Sequence, residues 1–170
     1  ITAGNQRMID LVNSLLNVSR IDLGTFTIMP VITSIQEIAE SVVKELEVMR
    51  KTKKIKFTSK FDDINPISID PQLTRIIFQN LLSNAIKYTP DKGEVSLTIT
   101  KDSEHILVAV KDSGYGIPVA EQEKIFQKLY RANNVKAKNT EGTGLGLYIV
   151  KSILDASGGR IWFESEENKG

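Results

Sequence analysis

The sequence predicts an α/β domain of helices and short strands, with one further helix at its N-terminus. Three features of the chain point there. Apolar residues recur at steps of three and four in several segments, as in amphipathic helices. Between them lie runs that alternate apolar and polar residues, as in half-buried strands. The chain has 170 residues, 41% of them apolar and 25% charged, a balance that supports a sizeable core in a length suited to one domain with a small attachment.

From Ile1 to about Leu23, residues Met8, Ile9, Leu11, Val12, Leu15, Leu16, Val18 and Ile21 fall at helical spacing, and Gly24 ends the run. The stripe is wide for a lone surface helix. It fits one helix of a bundle whose partners lie elsewhere, or equally a helix packed within the domain. Thr25 to Val31 predicts a short strand closed by Pro30. Ser34 and Glu37 then stand at capping-box spacing. The helix they announce carries Ile35, Ile38, Ala39, Val42, Val43, Leu46 and Met49 on one face and ends in Arg50, Lys51, Lys53 and Lys54, a basic cluster expected to be a solvated helix end.

Ile55 to Lys60 alternates as a strand, and Ile67 to Ile69 is a second. Asp70 suits an N-cap, Pro71 the first helical position, and Thr89-Pro90 a stop after Tyr88. Glu94 to Lys101 and His105 to Lys111 predict a hairpin around Asp102, Ser103 and Glu104. Past Asp112 come Gly114, Gly116 and Pro118, a short helix through Phe126, and a polar stretch from Arg131 to Glu141. Stretches of that length are usually lids, binding loops or disorder. A helix from about Leu145 to Ala156 and a strand from Arg160 to Ser165 follow.

The 22 basic and 21 acidic side chains nearly cancel to a formal charge of +1, which gives no field suited to a nucleic acid backbone. No nucleic acid partner is expected. Cysteine is absent, so there is no disulfide framework or thiolate metal site, and a reducing cytoplasm is compatible. No run approaches the roughly 18 apolar residues of a membrane span. The N-terminus also lacks an export pattern, so a membrane would be met by another part of a longer protein.

Chemistry concentrates in a few places. Asn80, Asn84 and Lys87 share one face of the Pro71 helix, with Leu73, Ile76, Ile77, Leu81 and Ala85 largely on the apolar side. Asparagine is a poor interior helix residue. One alone would suggest an exposed or locally bonded amide. A pair at i, i+4 followed by Lys87 and Tyr88 is better explained by oxygen ligands for a hard cation and a charge for phosphate. Asp112-Ser113-Gly114-Tyr115-Gly116 could bring backbone close to a planar ligand, with the carboxylate accepting from an exocyclic amine such as that of adenine; a plain strand-ending turn has the same composition. Gly142-Thr143-Gly144-Leu145-Gly146-Leu147 leads into a helix and suits an anion site for a triphosphate, or else a flexible hinge. It is neither a dinucleotide fingerprint nor a Walker loop, because no strand precedes it and no Gly-Lys-Ser/Thr follows. Phe126, Tyr130 and Arg131 could anchor a mobile lid and swing a cation onto phosphate, with Lys124 and Lys128 as solvated neighbours.

In this order, Asn80-Leu-Leu-Ser-Asn84-Ala-Ile-Lys87-Tyr88-Thr, Asp112-Ser-Gly-Tyr-Gly116, Ile125-Phe126-Gln-Lys-Leu-Tyr130-Arg131 and Gly142-Thr-Gly-Leu-Gly-Leu147 resemble the asparagine, first glycine, phenylalanine and second glycine boxes of sensor histidine kinases. The resemblance implies a two-layer α/β sandwich of the Bergerat type, its mixed, mainly antiparallel sheet covered by helices on one face. It implies a catalytic ATP-binding domain over residues 25–170 with its last strand truncated. Residues 1–24 would be the end of the second helix of the dimerisation hairpin. Asn84 would be the magnesium ligand with Asn80 beside it, and Lys87, Tyr88 and Arg131 would lie near the phosphates. Asp112 would hold the adenine amine; Gly114, Gly116, Ile117, Phe126 and Tyr130 would shape the base pocket and lid. Gly142, Thr143, Gly144, Leu145, Gly146 and Leu147 would serve the phosphates and the lid hinge.

Gyrase-like and MutL-like ATPases share that fold and place a glutamate as hydrolytic base where Asn80 stands. A neutral amide cannot take a proton from water, so transfer to a separate nucleophile is expected over hydrolysis. The family's phosphoacceptor histidine sits on a hairpin helix, whereas the single histidine here is His105, beside a β-turn. The expectation is therefore a kinase fragment that uses ATP and Mg2+ and phosphorylates a histidine outside this chain for relay to a response-regulator receiver domain. Its parent would be a homodimer, anchored in the membrane or not, with this domain in the cytoplasm. A nucleotide-sensing module without catalysis and a gyrase-like ATPase are the rival expectations.

Overall fold

The computed structural model describes residues Met8, Val12, Leu15, Leu16, 18–20, 27–138 and 142–170. Ser34 caps the first long helix, α1 (Ile35–Glu45), by accepting from the Glu37 amide at 3.2 Å. The helix expected to continue to the basic cluster instead breaks at Leu46, and a short α2 (Glu47–Thr52) follows. Of the strand expected at Thr25 to Val31, Thr25 and Phe26 lie outside the described residues, and the strand found begins after Pro30, as β1 (Val31–Thr33). Proline has no amide to give a ladder, so pairing begins beyond it.

The central sheet has β4 (Glu94–Lys101) in its middle, parallel to β2 (Lys56–Phe61) and antiparallel to β5 (Ile106–Asp112). The β4 register runs from Val95 opposite Asp112 to Lys101 opposite Ile106. A second, two-stranded sheet pairs β1 with β3 (Ile67–Ile69). The parallel β2–β4 pair requires a crossover, and α3 (Pro71–Tyr88) supplies it. Asp70 caps α3 by accepting from the amides of Gln72 and Leu73 at 2.9 and 3.0 Å, and Pro71 occupies its start.

Alternation along β4 turns Val95, Leu97 and Ile99 inward. Leu97 and Ile99 meet Ile35, Ala39 and Val42 of α1 and Phe78 and Leu82 of α3 in the main core, so helices cover one face of the sheet. A second cluster joins Leu73 of α3 to Ile149 and Ile153 of α5 (Gly146–Ala156), together with Leu145 and Val18. Helix α3 therefore buries surface on two sides. Its fully covered residues are Phe78, Leu82 and Ile86, whereas Ile76, Ile77 and Leu81, expected to define its apolar side, are only partly buried.

The described N-terminal residues are helical; Val18 is buried, while Met8, Val12, Leu15 and Leu16 are exposed. The remainder of the helix expected from Ile1 to Leu23 lies outside the described residues.

Two further expectations are corrected. Arg160 to Ser165 keeps strand-like alternation, with Ile161, Phe163 and Ser165 turned inward, yet among the described residues it joins no ladder. Its anchors are instead side-chain contacts from Phe163 and Ser165. The turn expected to run helically through Phe126 is a 3-10 helix, Val119–Lys124, and the polar stretch beyond holds a one-turn helix, α4 (Asn133–Ala137).

Candidate nucleotide site

The last turns of α3 carry Asn80, Asn84, Lys87 and Tyr88 toward the start of α5. Asn80 donates from Nδ2 to the Ile76 carbonyl at 2.8 Å, so the local bond open to a lone asparagine is made here. That bond fixes the amide orientation and turns Oδ1 toward Gly146. A Cβ built on Gly146 would lie 2.6 Å from Asn80 Oδ1 and 3.6 Å from Asn84 Nδ2. Only glycine lets the two helices approach at this point.

One turn on, a Cβ on Gly142 would stand 3.0 Å from Lys87 Nζ, 3.2 Å from the Tyr88 hydroxyl and 3.6 Å from Arg131 Nε. The glycine loop thus touches the cationic end of α3 at one end and its amide pair at the other. Burial pushes the Tyr88 hydroxyl pKa up, and the adjoining Arg131 guanidinium, hydrogen bonded to it, opposes the shift. Gly144, at φ +72°, passes so close to the Leu129 carbonyl carbon that a Cβ would lie 2.7 Å from it. Thr143 Oγ1 accepts from the Leu145 amide at 3.3 Å; Leu145 is buried in the α3–α5 cluster and Leu147 is half-buried. Among the described residues no side chain caps the N-terminus of α5, and its first amides suit an anion.

The loop from Asp112 to Gly116 is fastened to the same helix end. Tyr115 donates its amide to the Tyr88 carbonyl at 3.2 Å, and a Cβ on Gly114 would lie 2.7 Å from that oxygen. Asp112 Oδ1 accepts from the Gly114 amide at 2.9 Å, and burial holds its carboxyl above the ordinary aspartate range against that bond. Gly116 takes φ +60°, and the Ile117 amide donates to Ser165 Oγ at 2.9 Å.

Asn80, Asn84, Lys87, Tyr88, Arg131, Gly142 and Gly146 are therefore brought together, with Asp112, Gly114 and Gly116 attached through Tyr88. Phe126 packs edge-on against Phe163, ring centroids 5.9 Å apart, and Tyr130 donates its hydroxyl to Glu121 at 2.9 Å. A groove of about 220 Å³ between α1, α2 and β2, lined by Glu40, Lys44, Arg50 and Phe61 among others, shares no residue with this cluster.

Lys53 does not sit in a solvated basic cluster, as its sequence context suggests; its ammonium donates to the carbonyls of Ile86 and Lys87 at 2.9 Å each, and to that of Thr89. It closes the C-terminus of α3, and burial lowers its pKa. Lysine composition alone could not reveal this, since the partners lie more than thirty residues away. His105 lies in the turn before β5, exposed, with its amide held by Asp102 at 2.6 Å.

Among the described residues no cluster of three or more His, Cys, Asp or Glu could hold a metal ion. The amide oxygens of Asn80 and Asn84 are hard donors but neutral and few. They fit a divalent ion that brings phosphate oxygens as its other ligands. No helix among the described residues is long and apolar enough to cross a membrane.

A family model described as histidine kinase-, DNA gyrase B- and HSP90-like ATPase matches residues 69–170. The sensor histidine kinase WalK of Bacillus subtilis strain 168 is 34% identical over 168 residues, covering 97% of this chain and 27% of that protein. The chain thus spans about a quarter of that relative's length. The catalytic domain of the histidine kinase ThkA, solved nucleotide-free, is 28% identical with a TM-score of 0.71, over 84% of this chain and 92% of that one. Full-length ShkA, solved in complex with AMPPNP, shares the fold with a TM-score of 0.81 at 24% identity, over 95% of this chain and 34% of that one.

Proposed function

The chain belongs to the histidine kinase-, DNA gyrase B- and HSP90-like ATPase family, and from that premise we propose that it is the ATP-binding catalytic domain of a two-component sensor histidine kinase. Residues 25–170 are the catalytic domain, and residues 1–24 end the second helix of a dimerisation hairpin. The exposure of Met8 at 64%, Val12 at 49%, Leu15 at 48% and Leu16 at 52% supports that division, since such a stripe suits helix partners in a homodimer. The domain works in the cytoplasm, whether or not its parent is anchored in the membrane. No nucleic acid takes part.

The observation that carries the proposal is the seating of Gly146 on Asn80 and Asn84 and of Gly142 on Lys87, Tyr88 and Arg131. This sets the side-chain amides of Asn80 and Asn84 and a group of cations beside the amide-rich start of α5, a surface matched to a polyphosphate. Asp112, with Gly114, Gly116 and Ile117, receives the adenine amine. Phe126 and Tyr130 support the lid segment from its base. Mg2+, held by Asn84 with Asn80 beside it, supplies charge neutralisation at the phosphates when bound. Lys87 and Arg131 orient the γ-phosphoryl and stabilise its charge as its bond to the β-phosphate oxygen breaks. A bond to an imidazole nitrogen of a histidine outside this chain forms in the same transfer, for relay to a response-regulator aspartate.

Asn80 is unsuited to hydrolytic chemistry. Its neutral amide cannot accept a proton from water, and Nδ2 is already committed to the Ile76 carbonyl.

The test supplies a separately expressed hairpin domain and radiolabelled ATP. Asn84→Ala should lower the transfer rate at least about a hundredfold, the scale of losing a key transition-state contact. An unchanged rate would overturn the assignment, and brisk phosphate release without transfer would point to a gyrase-like ATPase.

A further inference from the structure

Helix α4 stands in the polar stretch between the two glycine loops and is held from both sides. On one side Glu121 accepts from the Asn133 amide at 2.8 Å, from Asn133 Nδ2 at 2.8 Å and from the Tyr130 hydroxyl at 2.9 Å. On the other, Asn134 Nδ2 donates to the Gly116 carbonyl at 2.9 Å and to the Tyr115 carbonyl at 3.3 Å. Two carbonyl oxygens can be served only by the amide's NH2 end, so the orientation of Asn134 is unambiguous. Its Oδ1 is buried without a hydrogen-bond partner among the described residues, so the donor half fixes the side chain.

The carbonyls it holds belong to the loop that begins at Asp112. That loop has other fastenings: Tyr115 hangs from the Tyr88 carbonyl, Asp112 is tied to Gly114, Ser113 exchanges hydrogen bonds with Glu94, the Ile117 amide donates to Ser165, and the Tyr115 carbonyl also accepts from the Asn168 amide at 2.8 Å; the Gly116 carbonyl, among the described residues, accepts from Asn134 alone. Gly116 is in the left-handed region at φ +60°, a conformation open to glycine and closed to most other residues. Without the Asn134 donors the Gly116 carbonyl would turn toward water, the Tyr115 carbonyl would keep only the Asn168 amide, and the loop would relax around them.

Resting on the nucleotide-binding function proposed above, we propose that Asn134 is a positioning residue for base recognition. By holding the Tyr115 and Gly116 carbonyls it keeps Asp112 aimed at the purine amine. It also couples that loop to α4. Its influence falls on the choice of base more than on the grip on phosphate.

The full chain, wild type and with Asn134→Ala or Asn134→Asp, is titrated with ATP and with GTP. Asn134→Asp keeps the side-chain shape but has no donors, and it sets a carboxylate against two carbonyls. ATP affinity should fall about tenfold in Asn134→Ala and further in Asn134→Asp, while GTP affinity changes less than about twofold. The preference for ATP then narrows. A residue that acted only by filling space would give the reverse order, with Asn134→Asp close to wild type, and that order would overturn the inference. Equal losses for ATP and GTP would overturn it too. The number of sites in each titration reports the folded fraction, so a poorly folding variant still yields an affinity. A wild-type chain that binds neither nucleotide would overturn the function proposed above, and this inference with it. Wild-type ATP affinity in Asn134→Asp would overturn this inference alone.

Discussion

Asp112 sits where ionisation is disfavoured. Burial raises its pKa, and the Gly114 amide only partly compensates. A raised folded-state pKa means the folded chain holds this proton more readily than the unfolded chain. Its contribution to stability is therefore fullest below the unfolded pKa and is lost as pH rises through the folded one. The ionised carboxylate is the stronger acceptor, so for a residue proposed to hold a purine amine binding runs the other way. ATP affinity should decline on acidification, beginning above the ordinary aspartate range. Asp112→Asn should bind more weakly at neutral pH and show a flatter profile, which calorimetric titration at a series of pH values would check. Gly146 has a steric constraint of the same local kind. A methyl group there would lie 2.6 Å from Asn80 Oδ1 and must displace the amide or the helix. Gly146→Ala should weaken ATP binding about tenfold with secondary structure intact, read by competition binding alongside circular dichroism.

Helix α3 shows which elements a sequence declares. Its start is local chemistry, Asp70 before Pro71, and its stop is local too, Thr89-Pro90, so both ends were legible without any tertiary knowledge. The hairpin of β4 and β5 was legible for the same reason. The bond from Lys53 to the far end of α3 was not, because it joins residues that only the folded chain brings together. Removing that ammonium by Lys53→Met should leave carbonyls of Ile86, Lys87 and Thr89 without their donor and cost about 2 kcal/mol. Urea unfolding would measure it, and ATP affinity should weaken as the turn bearing Lys87 loosens. The Arg160 to Ser165 segment fails differently. Its alternation is real, but alternation reports a two-faced environment and says nothing about backbone pairing. The break at Leu46 and the one-turn α4 carry no strong punctuation at all. The Asn80, Asn84 and glycine-loop residues stood out because their types are poor choices for plain structure. Glu121 and Asn134 did not, since polar residues in a polar stretch look like solvent-facing loop.

At the scale of the whole molecule, α3 is common to both principal cores. Phe78 and Leu82 join it to the sheet and α1, while Leu73 joins it to α5 and Val18. A ligand that bridges α3 and the start of α5 therefore stiffens the contact between the two cores. ATP with magnesium at about a hundred times its dissociation constant should raise the unfolding free energy by about 2.7 kcal/mol. Asn84→Ala should abolish most of that gain at the same concentration, as thermal unfolding with and without nucleotide would reveal. The attachment of the Asp112 loop bears on protein engineering. Tyr115 hangs from the carbonyl of Tyr88, the residue whose ring stands beside Arg131 and Gly142. The loop is consequently not a portable cassette. Grafted onto another scaffold it would arrive without its peg, and a designer who wanted to change the base accepted would have to transplant the end of α3 with it.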